Sequence, residues 1–346
     1  MRSAPAWRLA AGAQAASAGA WHILDMRRGT TLLLALVAAA LLQSAAAVTV
    51  RASTRPPKNI KRPPQLILFS HDDAVDSAAY GYVTDVTDRH RNPNGCRIKA
   101  TWFGCTSDCD FSCSTAKKLY GKGHELAAHT VNHPDLRHMS YSKVKKEIVG
   151  SRDKIVSCGI PESRVVGFRT PFLSDSPTVR QVLADYGFRY DSTIGVAGGS
   201  NRLWPATMED GVPYDCDQAG QYCESDESYP GLWEVPLYEL PDGNLMDVCT
   251  DESSGDPQSG CSPYKQLKKD FDRAYGSNRG PVTVGVHSIT TGFLKNDKFR
   301  GEVNKFFQYA LQHKDVWVVT ISQFLDWMEA PVEADKMAAF MAKYKC

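Results

Sequence analysis

Residues 66–73 read Leu-Ile-Leu-Phe-Ser-His-Asp-Asp, an apolar run that ends in two adjacent carboxylates, and this stretch decides the fold. Consecutive apolar side chains indicate a strand that is buried on both faces, as in parallel α/β sheets. Asp72 and Asp73 then lie at the carboxyl end of the strand, where α/β enzymes carry their active sites. The alternative for an isolated Asp-Asp pair is an acidic cap on the following helix.

Beyond this strand, apolar runs rich in β-branched and aromatic residues alternate with amphipathic helical segments. Repeated strand and helix predict a parallel α/β sheet that is long enough to close into a barrel. Residues 204–264 break the alternation, because they contain fourteen Asp or Glu, no Lys or Arg, and four cysteines. We expect this acidic block to be a long loop insertion that disulfides hold on the rim of the barrel.

The chain of 346 residues has a formal net charge of +1, which allows one large domain and gives no reason to expect a nucleic-acid partner. A Met-Arg-Arg start at Met26, a short apolar centre and small residues up to Ala47 predict a cleaved signal peptide, hence a secreted protein without a membrane span. The predicted parts are a signal-peptide region 1–47, a Pro-rich basic linker 48–64, the catalytic domain 65–330 and a C-terminal tail 331–346.

The ten cysteines have an even count in a chain predicted to be exported, which indicates disulfides. Cys105, Cys109 and Cys113 could instead be metal thiolates, but no two cysteines have the two-residue spacing of zinc ribbons. The pairing cannot be deduced from the spacing.

Two histidines, His129 and His133, follow the third predicted strand four residues apart. On one face of a helical turn both imidazoles could reach a single ion. Together with Asp73 they would supply three ligands to a divalent metal and leave one position open for water, which is typical of a catalytic site. The alternative is a pair of histidines bonded to the backbone. Strand alternation turns His71 away from the face that Asp72 uses.

Further candidates follow other strands. Arg169 is suited to hold Asp72 ionised and oriented. Pro171 lacks an amide hydrogen and shapes the turn, so that the amide of Phe172 can point at a developing oxyanion. His287 could donate a proton to a leaving group. The alternatives are a surface ion pair for the arginine and a core role for the histidine.

Five ordered motifs resemble those of the polysaccharide deacetylases, the family-four carbohydrate esterases that include chitin deacetylases. The motifs are Ser70-His-Asp-Asp-Ala74, His129-Thr-Val-Asn-His133, Arg169-Thr-Pro-Phe172, Leu232-Trp-Glu234 and Val284-Gly-Val-His287. The resemblance covers nearly all of residues 65–330. Residues 92–101, 271–273 and 316–327 are similar to the cysteine-bearing chitin deacetylases of arthropods and related eukaryotes.

The resemblance implies a metal-dependent hydrolase on a distorted (β/α) barrel of about seven strands. Asp73, His129 and His133 would hold one divalent metal, Zn²⁺ or else Co²⁺ or another divalent ion. The enzyme would remove acetyl groups from N-acetylglucosamine units of chitin, release acetate and act as a monomer. Peptidoglycan or acetylated xylan as substrate, and a non-catalytic polysaccharide-binding matrix protein, are the alternatives.

The same resemblance implies a role for each matching residue. The roles are general base for Asp72, its partner for Arg169, general acid for His287, tuning of that acid for Asp191, oxyanion amide for Phe172 after Pro171, and groove wall for Trp233. The sequence departs from the family at Ser70-His71, where Thr-Phe is usual, and at Phe172, where Tyr is common.

Overall fold

The structure, a computed structural model, describes residues 49–216, 220–251 and 254–346. The predicted signal peptide lies outside the described residues. Within them, every helix is too short or too polar to cross a lipid bilayer.

Eleven strands and eight helices make up the described part of the chain. The strands are β1 (Gln65–Asp73), β2 (Thr101–Gly104), β3 (Glu125–Ala128), β4 (Gly167–Phe168), β5 (Tyr190–Asp191), β6 (Gly195–Val196), β7 (Ala206–Met208), β8 (Tyr229–Glu234), β9 (Leu237–Tyr238), β10 (Val282–Val286) and β11 (Val316–Val319). The helices are α1 (Ser77–Thr87), α2 (Cys113–Gly121), α3 (Tyr141–Ser157), α4 (Pro177–Asp185), α5 (Pro263–Tyr275), α6 (Asp297–Ala310), α7 (Ile321–Glu329) and α8 (Met337–Met341).

The main sheet has nine strands in the described chain, in the order β10-β1-β2-β3-β4-β5-β8-β7, with β11 also paired to β1. Its pairs are parallel except for β7 with β8. The predicted α/β class and distorted barrel are confirmed. The strand count exceeds the expected seven, and the acidic block contributes both β7 and β8, so it is more than a rim loop.

Strand β1 is buried along its whole length, as the apolar run predicts. Leu66 and Leu68 pack in a cluster on one face, with side chains of β2, β3, β5, β8 and β11, which we call the interior cluster. Ile67 and Phe69 pack on the opposite face against α1, α5 and α6. Burial of each such side chain contributes about 1.5–3 kcal/mol, so both faces of β1 hold the barrel together.

The end of β1 is not a helix cap. The residue that caps α1 is Asp76, whose carboxylate accepts from the amide of Ala79 at 2.8 Å. The parallel register aligns Asp73 with Gly104 and Gly104 with Ala128, so β1, β2 and β3 end at one edge of the sheet. Asp72 and Asp73 are therefore free for other contacts, and the capping alternative is wrong.

Disulfides account for all ten cysteines, so the thiolate alternative is wrong for this structure. The pairs are Cys96–Cys346, Cys105–Cys109, Cys113–Cys158, Cys216–Cys223 and Cys249–Cys261. The last two lie within the acidic block. The C-terminal segment, expected to be a tail, packs on the barrel through Met337 in the interior cluster.

Candidate functional site

Asp73, His129 and His133 converge at the carboxyl edge of the sheet. The Oδ1 atom of Asp73 lies 3.3 Å from Nε2 of His129 and 3.0 Å from Nε2 of His133. Asp73 has a φ of 76°, which takes it out of the extended conformation at the strand end. In a regular strand, the side chains of Asp72 and Asp73 would point to opposite faces of the sheet, and the positive φ of Asp73 removes this constraint.

The donor atoms of this group fit a bound cation. His129 Nδ1 lies 2.8 Å from the carbonyl oxygen of Arg169, and since a carbonyl only accepts, Nδ1 carries the hydrogen. The other ring nitrogen, Nε2, faces the Asp73 carboxylate. Asp73 Oδ1 is buried and has no hydrogen-bond partner of normal geometry among the described residues. One carboxylate oxygen with imidazole nitrogens of two histidines at 3.3 and 3.0 Å from it is a donor set typical of a divalent metal.

The segment that carries the two histidines is a bend, and the predicted helical turn is wrong. Thr130 and His133 have φ values of 69° and 54°, which break helical geometry. Glu147 on α3 accepts from the amides of Val131 and Asn132 at 3.0 and 2.9 Å. The buried carboxylate of Glu147 thus holds the loop in the shape that brings both imidazoles to Asp73. The four-residue spacing alone would not bring them there.

Asp72 forms a buried ion pair with Arg169, at 2.7 Å between Oδ1 and Nη1. The same guanidinium donates to the backbone oxygen and the hydroxyl of Ser192, at 2.7 and 2.9 Å. Its carbon lies 4.1 Å from the ring centre of Phe103. The surface ion-pair alternative for Arg169 is therefore wrong, and its charge compensates the buried carboxylate.

His287 faces the same site from the end of β10. Its Nδ1 lies 2.6 Å from Oδ2 of Asp247, and its Nε2 lies 3.9 Å from Oδ2 of Asp73. Burial lowers the pKa of His287, but the charge and hydrogen bond of Asp247, followed by the charges of Asp73 and Asp72, outweigh it and raise the pKa to about 10. The ring therefore holds a proton at neutral pH, and the nitrogen opposite Asp247 can deliver it.

Asp247 is a residue of this site that no sequence motif indicates. It belongs to the acidic block, and it also accepts from the amide of His287 at 2.8 Å and from the hydroxyl of Thr291 at 2.9 Å. Its backbone is held by a bond from its amide to the carbonyl of Gly285 at 3.0 Å. One carboxylate among fourteen in an irregular segment has no local signal that marks it.

The prediction that Asp191 lies beside His287 is wrong, because Asp247 occupies that position. Asp191 ends β5, and β1 to β4 separate that strand from β10 in the sheet order. Its carboxylate accepts from the hydroxyl of Thr193 at 2.5 Å and lies opposite Glu234 of β8. Burial raises the pKa of Asp191 to about 8, and the charge of Asp175 adds to the effect.

The buried carboxyl of Asp191 makes the free energy of unfolding depend on pH. An aspartate in the unfolded chain ionises near pH 3.8, whereas Asp191 in the folded protein keeps its proton up to about pH 8. The folded state binds more protons between these values, so its stability falls as the pH rises through this window. We expect Asp191→Asn to raise the melting temperature at pH 8 by about 2–4 °C, the equivalent of about 1 kcal/mol. Thermal unfolding from pH 5 to 8 measures it; a variant less stable than the wild type at pH 8 would contradict it.

Phe172 lies at the mouth of the site, while Trp233 does not. The ring of Phe172 is 66% exposed and its centre lies 4.8 Å from that of His133. It is the second residue of the 3₁₀ turn Pro171–Leu173, a position whose amide has no partner within the turn. Trp233 is 1% exposed and packs in the interior cluster, so its expected role as a groove wall is wrong. Alternation along β8 turns it to the inside of the barrel.

His71 faces away from Asp72, as the alternation predicts. Its ring packs on Trp102 with 4.6 Å between centres, and its Nε2 lies 2.7 Å from the hydroxyl of Ser288. Burial, then the charge of His287, lowers the pKa of His71 to about 3. It is thus a neutral side chain that packs behind the site.

Comparison with known proteins agrees with this geometry. Residues 60–190 match the family model of the polysaccharide deacetylases. Chitin deacetylase 1 of Bombyx mori is 30% identical over 289 residues, which are 78% of this chain and 51% of that protein. Chitin deacetylase 8 of Bombyx mori is 26% identical over 293 residues, 81% of this chain and 74% of that protein. The chain thus spans about half the length of the first of these relatives.

The fold is also found in solved structures. The crystal structure of a Mycobacterium smegmatis protein assigned as a polysaccharide deacetylase superposes with a TM-score of 0.54 at 17% identity. The alignment covers 82% of this chain and 96% of that one.

Proposed function

We propose that the chain, whose residues 60–190 match the family model of the polysaccharide deacetylases, is a metal-dependent hydrolase that removes N-acetyl groups from N-acetylglucosamine polymers such as chitin and releases acetate. The observation that carries the proposal is the buried Oδ1 of Asp73, which lies 3.3 and 3.0 Å from the Nε2 atoms of His129 and His133. The Asp72–Arg169 pair and the Asp247-bound His287 supply a base and an acid at the same edge of the barrel.

Asp73, His129 and His133 would hold the metal, with Zn²⁺ or Co²⁺ suited to this donor set. When bound, such an ion acidifies water and polarises the acetyl carbonyl. Asp72 would take the proton from the attacking water, because Arg169 orients its carboxylate.

The acid side completes the reaction. As the water oxygen bonds to the acetyl carbon, the amide of Phe172 would donate to the developing oxyanion. His287 would give its Nε2 proton to the sugar nitrogen as the C–N bond breaks, and Asp247 on Nδ1 stabilises the protonated ring before this step. The products are acetate and a free amine.

The test is acetate release from chitin oligomers with and without a chelator. We expect release by the untreated protein, a fall to background with chelator, and recovery on addition of Zn²⁺, because three side chains must share one ion. A chelator saturated with Zn²⁺ beforehand is the control. Acetylated xylan and peptidoglycan run in parallel identify the polymer. A protein that binds chitin but releases no acetate from any substrate would be a matrix protein on the same fold.

The setting of the protein is part of this proposal. The predicted signal peptide and the disulfide pairing of all ten cysteines support secretion. The partner that we propose is the polysaccharide substrate, which the protein would bind as a monomer. We assign the catalytic domain to residues 65–330, preceded by the linker 48–64.

A further inference from the structure

A disulfide sulfur lies close to two of the three proposed metal ligands, Asp73 and His133. The Sγ of Cys109, a carboxylate oxygen of Asp73 and a ring nitrogen of His133 all lie within 4.8 Å of one another. Cys109 is bonded to Cys105, so its sulfur is not an anionic ligand in this structure.

The sheet order explains this position. Cys105 follows β2, which lies between the strand that ends in Asp73 and the strand that leads to His129. Its amide donates to the carbonyl of Asp73 at 3.1 Å, and the next amide, of Thr106, donates to the carbonyl of Thr130 at 3.1 Å. The loop that begins at Cys105 is therefore built between the two segments that carry the proposed ligands.

The backbone on both sides of Cys109 is held independently of the disulfide. The amide of Ser107 donates to the carbonyl of Val131 at 2.8 Å, and the amide of Val75 donates to the carbonyl of Asp110 at 3.1 Å. Opening the disulfide would therefore leave the Cys109 side chain beside the site. Asp73, whose Oδ1 atom is buried, offers a carboxylate oxygen within 4.8 Å of that sulfur.

We propose that Cys109 becomes a fourth protein ligand of the metal when its disulfide with Cys105 is open, and that the disulfide keeps this position free for water and substrate. This inference rests on the proposed metal site. A thiolate with two imidazoles and one carboxylate fills a tetrahedral shell, and four protein ligands are typical of structural sites, whereas catalytic sites keep one position open. The metal site would therefore keep an open position while the disulfide is intact and would lose it when the disulfide is reduced.

The redox step requires a dithiol as reductant. The dithiol gives two electrons and two protons, the S–S bond between Cys105 and Cys109 breaks to two thiols, and the dithiol becomes a disulfide. Cys109 then loses its thiol proton to solvent as its sulfur binds the ion. In the reverse direction, Cys109 leaves the ion and regains its proton, and the two thiols give two electrons and two protons to a disulfide oxidant, which becomes a dithiol as the Cys105–Cys109 bond forms.

The experiment uses Co²⁺ as the probe and the variant Cys105→Ser, which leaves Cys109 as a thiol without any reductant. We expect a near-ultraviolet sulfur-to-cobalt charge-transfer band that the oxidised wild type lacks, because only the variant offers a thiolate. We expect Zn²⁺ affinity to rise about 10-fold or more, comparable in size to the effects of changing metal-site partners. Acetate release should fall, because the open position is lost.

Two controls separate this ligand from any free thiol. Cys105→Ser/Cys109→Ser lacks both sulfurs and should show no charge-transfer band. Cys96→Ser frees Cys346, whose carbonyl accepts from Lys99 before the start of β2, at the opposite end of that strand from the site. It should also show no band.

The test of the Cys109 ligand can fail independently of the test of deacetylase activity. Cys105→Ser that binds Co²⁺ without a charge-transfer band overturns the inference, while acetate release by the oxidised wild type tests the function separately. If Cys105→Ser does not fold, the wild type is treated with a dithiol and opened disulfides are mapped by thiol labelling. A band that grows with opening of Cys105–Cys109 supports the inference, and opening without a band overturns it.

Discussion

Asp72→Asn is expected to release acetate from chitin oligomers about 10²- to 10⁴-fold more slowly than the wild type, the contribution of a positioned base. Its metal content should equal that of the wild type. Asparagine has the shape of aspartate but cannot accept the proton of the attacking water. The variant leaves Asp73, His129 and His133 unchanged, so the ion should stay.

The measurements are kcat for acetate release and metal content by elemental analysis. Asp297→Asn is the matched control, because it changes the same side chain in a surface pair with Arg300, where Asp297 is 89% exposed. Its kcat should match that of the wild type. An Asp72→Asn variant with full activity would show that another group takes the proton, and loss of the ion from that variant would assign Asp72 to metal binding.

His287→Gln is expected to lose about 10²- to 10⁴-fold in kcat, because glutamine cannot protonate the departing amine. Asp247→Asn should keep more activity and change its pH dependence. Asp247 helps raise the pKa of His287 to about 10, so its loss lowers that pKa. An acid must be protonated to act, so the alkaline limb of the pH profile should move to lower pH.

The pH profiles of kcat for the wild type, Asp247→Asn and Asp191→Asn test this pairing. Asp191→Asn is the control, since Asp191 ends a strand on another side of the barrel and makes its hydrogen bond to Thr193. We expect its alkaline limb to coincide with that of the wild type, and that of Asp247→Asn to be displaced. If Asp191→Asn shifts the limb and Asp247→Asn does not, Asp191 is the aspartate that tunes His287, and the contact between Asp247 and His287 does not control the acid in the working enzyme.

Part of the site could be predicted from the sequence, because its signals are local. The apolar run before Asp72 predicts a buried strand, and the strand–helix alternation predicts that several strand ends share one edge. Those rules place Asp73, Arg169 and His287 at that edge without a structure. The even number of cysteines in a chain with a predicted signal peptide likewise indicates disulfides.

Other parts depend on contacts between distant segments. Asp247 reaches His287 from an irregular acidic block, and Trp233 turns inward because of the register of β8. The bend that brings His133 to Asp73 depends on left-handed φ values at single residues. Neither a register nor one dihedral angle leaves a periodic pattern in the sequence.

The sequence by itself thus determined the order of the elements, the edge where polar residues gather and the kinds of donor available there. Only the tertiary structure decided which carboxylate meets which histidine and which sulfur lies against them. The physical reason is that burial and periodicity act over neighbouring residues, whereas a site is defined by distances of about 3 Å between side chains far apart in the chain, which the packing of the whole barrel sets.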